Sequence, residues 1–400
     1  MLALDSLLDH ISLISKEFLI VVIKVLVIFV VGLVGTMLMV WFERKVIAFM
    51  QNRIGPDKAG PKGLLQTLAD GIKLFFKEQS VPDTADRPVF FLAPYISLMT
   101  AFLAFSIVPI GGKVSIAGHW TYVQLADLPI GILFLLMMSG LGLYGVMLAG
   151  WASGSKYPLL GSVRASAQLL SYEAAFGLAI VGVLLQTRTL STRAIADQQA
   201  WTGIGSLGHW YLIPAFVAFV IYIISAVAET NHPPFDLVEA EQELVGGFHT
   251  EYTGIRFAIF FLAEFMNIIT MSAVTVTLFL GGPSGPALWP SRFGMTGVVN
   301  AWLVPIFWFI LKVVALTYGT VWLRAATPRM RYDRLMAFAW KYLIELAILW
   351  ILVLVAREVA VTEHWNVFVA TLVSMLGGLA LYGLLMLCVP GPGEHVEEFR

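Results

Sequence analysis

The sequence predicts an all-α polytopic membrane protein, and three observations carry that prediction. Of its 400 residues, 58% are hydrophobic and only 13% are charged, against about half and about a quarter in soluble globular chains. Mean hydropathy is +0.82. Nine apolar runs, near 18–42, 89–110, 129–150, 166–187, 211–228, 255–280, 299–323, 339–356 and 366–389, are close to the ~20 residues that a helix needs to cross a bilayer. The chain therefore reads as a single membrane domain over 1–400. The net charge of −1 excludes an electrostatic nucleic-acid binder. A single cysteine, Cys388, excludes a disulfide framework and any cysteine-held iron–sulfur or zinc site.

Before the first run there is neither a basic n-region nor a small-residue cleavage site, so that run is expected to serve as its own insertion signal. The connection that follows, over 43–88, is long. It breaks at Gly55-Pro56 and Gly60-Pro61. Leu64, Leu65, Leu68, Ile72, Phe75 and Phe76 then recur at helical spacing, with Gln66, Asp70, Lys73 and Lys77 on the other face. This predicts an amphipathic helix too short and too polar to cross. Two readings stand: a helix lying at the membrane interface, or the wall of a cavity for a lipid-like ligand. The third run holds Gly140, Gly142 and Gly145 in a formal GxGxxG. No strand precedes it, so the spacing predicts close helix packing and not a phosphate cradle.

Orientation follows from Lys and Arg. Connections after runs one, three, five and seven hold sixteen of the 25 basic residues, eight of them between positions 44 and 87. Those connections are predicted to be cytoplasmic, with the N-terminus outside and the C-terminus cytoplasmic. Within the runs, Lys24, Glu173, Glu264, Lys312 and Glu345 are ionisable, and Glu229 ends run five. Such groups are expensive in a bilayer and mark function by default. A series of buried carboxyls can exchange protons near neutral pH. The competing expectation is that Glu173 or Glu264 pairs with Lys312 or another fixed partner to hold helices together. Lys24 and Glu345, near helix ends, are expected to snorkel to water.

The acidic loop at 229–254 carries Glu229, Asp236, Glu239, Glu241, Glu243 and Glu251, with no Lys or Arg before position 256. Pro233-Pro234 should end run five. Asp236 with Glu239 fits a capping box that starts a short helix over 236–244. Capping does not account for the remaining carboxylates, and the spacing is not that of a calcium-binding EF-hand loop. The connection at 324–338 is its electrostatic opposite, with Arg324, Arg329, Arg331 and Arg334. It is read as a marker of the inside face, as a neutraliser of the acidic loop, or as a docking segment.

Three blocks carry a family resemblance. The first holds Glu43-Arg44-Lys45, the stretch from Gln51 to Pro56, Gly60-Pro61, Asp70-Gly71 and the stretch from Lys73 to Glu78. The second holds the stretch from Ala228 to Asn231, Pro234-Phe235-Asp236 and the stretch from Glu239 to Val245. The third holds Pro328-Arg329, Arg331-Tyr332-Asp333 and Leu335-Met336. Together they resemble the H-subunit family of bacterial proton-pumping NADH:quinone oxidoreductase, respiratory complex I, over 18–356. The resemblance implies an eight-helix core in the bacterial inner membrane and a role in anchoring the hydrophilic arm. It also implies a quinone chamber shared with the peripheral subunits that carry the terminal iron–sulfur cluster. Quinone would be a substrate at that interface, and the chain alone would bind no cofactor. Mapped here, Arg44, Asp70, Lys73 and Phe235 are implied near the quinone passage. Glu173, Glu229, Glu239, Glu241, Glu243 and Glu264 are implied in proton coupling. No residue is assigned catalysis or a metal. His232 stands where the family usually has Arg, Glu345 departs from an apolar position or Pro, and the run at 366–389 is an added element. Rival readings are the equivalent membrane component of a hydrogenase-type or other-donor complex, a stand-alone ion transporter, and a structural anchor.

Overall fold

A computed structural model describes residues 13–116, 119–200, 210–236, 244–286 and 296–388. Twelve helices are labelled in chain order: α1 (Leu13–Met50), α2 (Gln66–Phe76), α3 (Arg87–Phe105), α4 (Gly131–Ala152), α5 (Lys156–Thr187), α6 (Thr192–Gln198), α7 (Phe216–Glu229), α8 (Ile255–Phe279), α9 (Thr296–Ala326), α10 (Tyr332–Phe338), α11 (Ile344–Thr362) and α12 (Val367–Cys388). Among the described residues, seven helices are long and apolar enough to cross a membrane. Two more predicted spans correspond to α7, which is shorter, and α11, which carries Glu345, Arg357 and Glu358. The all-α polytopic prediction is met.

Three features differ from the sequence reading. Helix α5 starts at Lys156, so Lys156 and Arg164 ride on its first turns and are not in a connection. A hairpin joins α3 to α4, β1 (Lys113–Ile116) pairing antiparallel with β2 (His119–Tyr122). Lys24 Nζ, part-buried, donates to Thr121 Oγ1 of that hairpin at 3.0 Å. The third difference is the brevity of α7. Pro214 lies just before it and cannot donate to a preceding turn, and the helix is buried through Ala218, Ile221, Tyr222 and Ser225 rather than facing lipid. Gln199 makes this tolerable. Its Nε2 donates to the carbonyls of Ile195, Thr277 and Leu278 at 3.1–3.2 Å, and its Oε1 accepts from the amides of Tyr211 and Gly281. Backbone groups freed by short helices at membrane depth must be paired inside the protein.

Hydrophobic burial does little to drive helix association in lipid, so close approach and polar ties matter more. The GxGxxG reading holds: a Cβ on Gly145 would lie 2.1 Å from Ser97 Oγ and 3.1 Å from the Ala93 carbonyl of α3. Gly161 of α5 meets the backbone of Gly247 in the same way. The core centres on Tyr172 and Phe176 of α5, Tyr222 of α7 and Phe279 of α8, all fully buried. The Phe176–Tyr222 ring centroids are 4.7 Å apart. Helix α12 packs on α11 and leaves long apolar side chains such as Phe368 and Leu379 exposed.

Lys312 pairs with neither Glu173 nor Glu264. Its Nζ donates to the carbonyls of Leu280, Gly282 and Ser284 at 2.7, 3.0 and 2.7 Å, capping the frayed end of α8, and lies over the Trp210 ring. Lys312→Met should therefore lower stability by about 2–4 kcal/mol, since hydrogen bonds to charged groups are each worth about 1.5–3 kcal/mol. A lower midpoint of thermal inactivation with unchanged coupling would confirm this capping role, whereas lost coupling at normal stability would contradict it.

Candidate functional site

The first part of the site grows from α2. Its apolar stripe is present as predicted but is not spent on packing: Phe76 is 84% exposed and Ile72 53%. The stripe faces a cavity of about 860 Å³ lined by Leu33, Met37 and Val40 of α1 and Phe257, Phe261 and Phe265 of α8. Gly63 makes the turn into α2. Its φ is +76°, and a Cβ there would lie 2.3 Å from the Pro56 carbonyl oxygen. The polar face meets α1. Arg44 Nη1 donates to Asp70 Oδ2 at 2.7 Å, Gln66 Nε2 donates to Oδ1 at 3.2 Å, and Lys73 Nζ lies 3.7 Å from Oδ1. Partial burial opposes ionisation of Asp70. Arg44, Gln66 and Lys73 nevertheless hold its carboxyl below the ordinary carboxylate range. Arg44, Asp70 and Lys73 thus sit together on the wall of an apolar chamber.

A second space, a cleft of about 630 Å³, adjoins the first and shares Val40, Arg44, Phe261 and Phe265 with it. Its polar lining is Glu43, Arg53, His232, Glu264 and Arg324. The Glu43 carboxylate is buried and accepts from Arg324 Nη1. His232 Nδ1 lies 3.1 Å from Glu264 Oε1, and its Nε2 lies 3.4 Å from Arg324 Nη1 and 3.9 Å from Glu43 Oε2.

A third, enclosed space of about 80 Å³ lies between α3, α4, α5 and α8 and holds Glu173, Glu229, Glu264 and Asn267. Glu264 lines both this space and the cleft. Glu229 accepts from Ser139 Oγ. Gly140 clears room for Glu173: a Cβ there would lie 3.2 Å from Oε1. Ser97 Oγ, Glu229 Oε2 and Asn231 Oδ1 are buried without a protein partner among the described residues. That is the chemistry of a hydrated cavity, and the volume suits several waters.

The remaining predicted residues lie elsewhere. Phe235 is buried against Tyr172, ring centroids 5.4 Å apart, and its carbonyl accepts from Gln168 Nε2 at 2.8 Å. It does not line the apolar chamber. Asp236 forms an ion pair with Arg329 at 3.0 Å, and the Met330 amide donates to the Pro234 carbonyl. The basic segment therefore does neutralise the start of the acidic loop. Glu239, Glu241 and Glu243, and the short helix expected over them, lie outside the described residues. Sequence reasoning passes over Ser139, His249 and the Glu43–Arg324 pair. Of these, only Glu43 and Arg324 leave a signal, as opposite charges bordering the first and third blocks.

His232 and His249 are both buried, and burial depresses each from an ordinary 6.5 to about 4. For His232 the Arg324 cation adds to burial, with Glu43 and Asp236 opposing. His249 stacks on Phe248 at 3.8 Å. Because the unfolded chain binds protons more readily than the fold at these two sites, their contribution to stability is complete above about pH 6.5. It is lost as pH falls toward 4. The thermal midpoint should fall across that window, and less steeply in His249→Phe; equal slopes would refute the assignment.

Comparison with known proteins fits this geometry. A model of the NADH dehydrogenase family matches residues 23–355. A protein of Frankia alni, named as the H subunit of NADH-quinone oxidoreductase, is 46% identical, the match covering 96% of this chain and 83% of the relative. Its counterpart in Frankia casuarinae is also 46% identical with the same coverage. The chain belongs to the H-subunit family of NADH-quinone oxidoreductase. A third protein of that name, from Streptomyces avermitilis, is 43% identical over 92% of this chain and 79% of its own length. As a member of this family with seven helices, among the described residues, long and apolar enough to span, the chain is a multi-pass membrane protein. Helix α12 lies beyond the stretch the family model covers.

Proposed function

We propose that this chain is the membrane subunit of a proton-translocating NADH-quinone oxidoreductase, which forms one wall of the quinone chamber and couples quinone reduction to proton movement. One observation carries the reading. Three spaces adjoin in series, from an apolar chamber through a charged cleft to an enclosed acidic cavity, with Arg44 shared at the first junction and Glu264 at the second. An apolar chamber edged by Arg44, Asp70 and Lys73 suits a molecule with a long hydrocarbon tail and a polar, reducible head. The chain acts as a non-redox subunit, and electrons reach quinone from partner subunits that carry the terminal iron–sulfur cluster. Quinone reduction takes up protons, and that change in charge is felt at Glu264 and passed to Glu229 and Glu173. Glu239, Glu241 and Glu243 extend the same acidic set by sequence. The membrane is the bacterial plasma membrane, with α2 and the acidic loop on the cytoplasmic side.

The test is photolabelling of the intact complex with a photoreactive quinone analogue. Labels competed by quinone should map to α2 or to the first half of α8. Competed labels confined to other subunits would overturn the chamber assignment.

A further inference from the structure

His232 is surrounded by charge from every element packed against it. Glu43 comes from α1, Arg324 from α9, Glu264 from α8 and Asp236 from its own loop. The Phe265 ring covers it edge-on at 5.8 Å. Donor counting assigns the tautomer. A guanidinium only donates, so Nε2, 3.4 Å from Arg324 Nη1, presents its lone pair. Nδ1 then carries the hydrogen; Glu264 Oε1 lies 3.1 Å from it, and the Thr230 carbonyl is a backbone acceptor for the same ring. Glu43 fixes Arg324 in turn. The ring is thus a neutral donor held between a buried ion pair in the cleft and the carboxyl that opens onto the inner cavity.

We propose that His232 is a positioning residue that sets a neutral ring nitrogen 3.1 Å from Glu264, so that no cation touches that carboxyl directly, the Arg324 charge acts on it only from beyond the ring, and its proton exchange stays responsive to pH. The inference rests on the reading of Glu264 as a coupling carboxyl. The physical consequence is an ordering. A cation at position 232 favours an ionised Glu264 by direct attraction. An uncharged donor of the same reach leaves matters as they are. A hydrocarbon removes that polar contact and favours the protonated form. Burial of the ring and its proximity to Arg324 keep His232 uncharged down to about pH 4, so the donor is neutral throughout the working range.

The experiment replaces His232 with Arg, Asn and Leu in the complete complex and measures quinone reduction and proton translocation in native membranes from about pH 5 to about pH 9. The composition of each complex is checked on native gels. In H232R the acid limb of the pH profile should move down by about one unit, in H232L up by about one unit, and in H232N it should stay in place. Three assembled variants with the parental profile would overturn the inference, as would H232N shifting as far as H232L. If H232L does not assemble, the contrast between Arg and Asn decides alone. A Glu264→Gln arm separates the underlying reading: parental translocation in that variant would remove the coupling role of Glu264 itself, and this inference with it. Loss of translocation there, with unmoved profiles in the His232 series, would sink only the inference.

Discussion

Replacing Glu264 with Gln should abolish proton translocation and slow quinone reduction by roughly a hundredfold or more, the scale of a lost proton-transferring side chain. The complex should still assemble. Gln has nearly the shape of Glu, and its amide oxygen can still accept from His232 Nδ1, which lies 3.1 Å from the native carboxyl oxygen. What it cannot do is exchange a proton between the cleft and the inner cavity, both of which Glu264 lines. The control is Glu345→Gln. Glu345 lies in the first turn of α11 and lines none of the three spaces, so its removal should leave coupling intact. Measuring quinone reduction together with acidification of inverted vesicles separates the two variants. Parental pumping in Glu264→Gln would show that the acidic cavity is structural and that coupling runs elsewhere.

Much of this site is legible in the sequence, and the reason is physical. An amphipathic stripe such as Leu68, Ile72 and Phe75 is a local pattern, so α2 can be read from spacing, with a cavity wall as one of the two roles its stripe allows. Glu173, Glu229 and Glu264 stand out because charge inside an apolar run is costly. Partnership is not legible. Charge alone pairs Lys312 with a glutamate, yet its three partners are carbonyls in the turn after α8, which ends at Phe279. Spacing marks Asp236 as a possible cap of a helix that lies outside the described residues, but it does not show Arg329, which comes from almost a hundred residues away to pair with it. The burial of Phe235 is likewise decided by Tyr172, on a different helix. Residue type sets the cost of each group, whereas tertiary contact decides how that cost is met.

The pair of Glu43 and Arg324 shows how tightly the cleft depends on such a contact. The Glu43 side chain is only 6% exposed, while Arg324 is 31% exposed. Arg324→Gln therefore leaves a carboxylate buried without its counter-charge, which costs about 3–5 kcal/mol. Glu43→Gln is expected to be milder, because the surviving cation can turn toward water. The double variant should regain most of the loss, since no buried charge is left unpaired, and the two changes should be strongly non-additive. Thermal inactivation midpoints of the four complexes give the cycle directly. Arg324→Gln should also ease protonation of His232, because the Arg324 cation is the second cause, after burial, of its depression to about 4. With the folded-state value closer to 6.5, the acid loss of stability in that variant should span a narrower window. If the two single variants simply add, the contact between Glu43 and Arg324 is incidental. The cleft would then be organised by the His232–Glu264 contact alone.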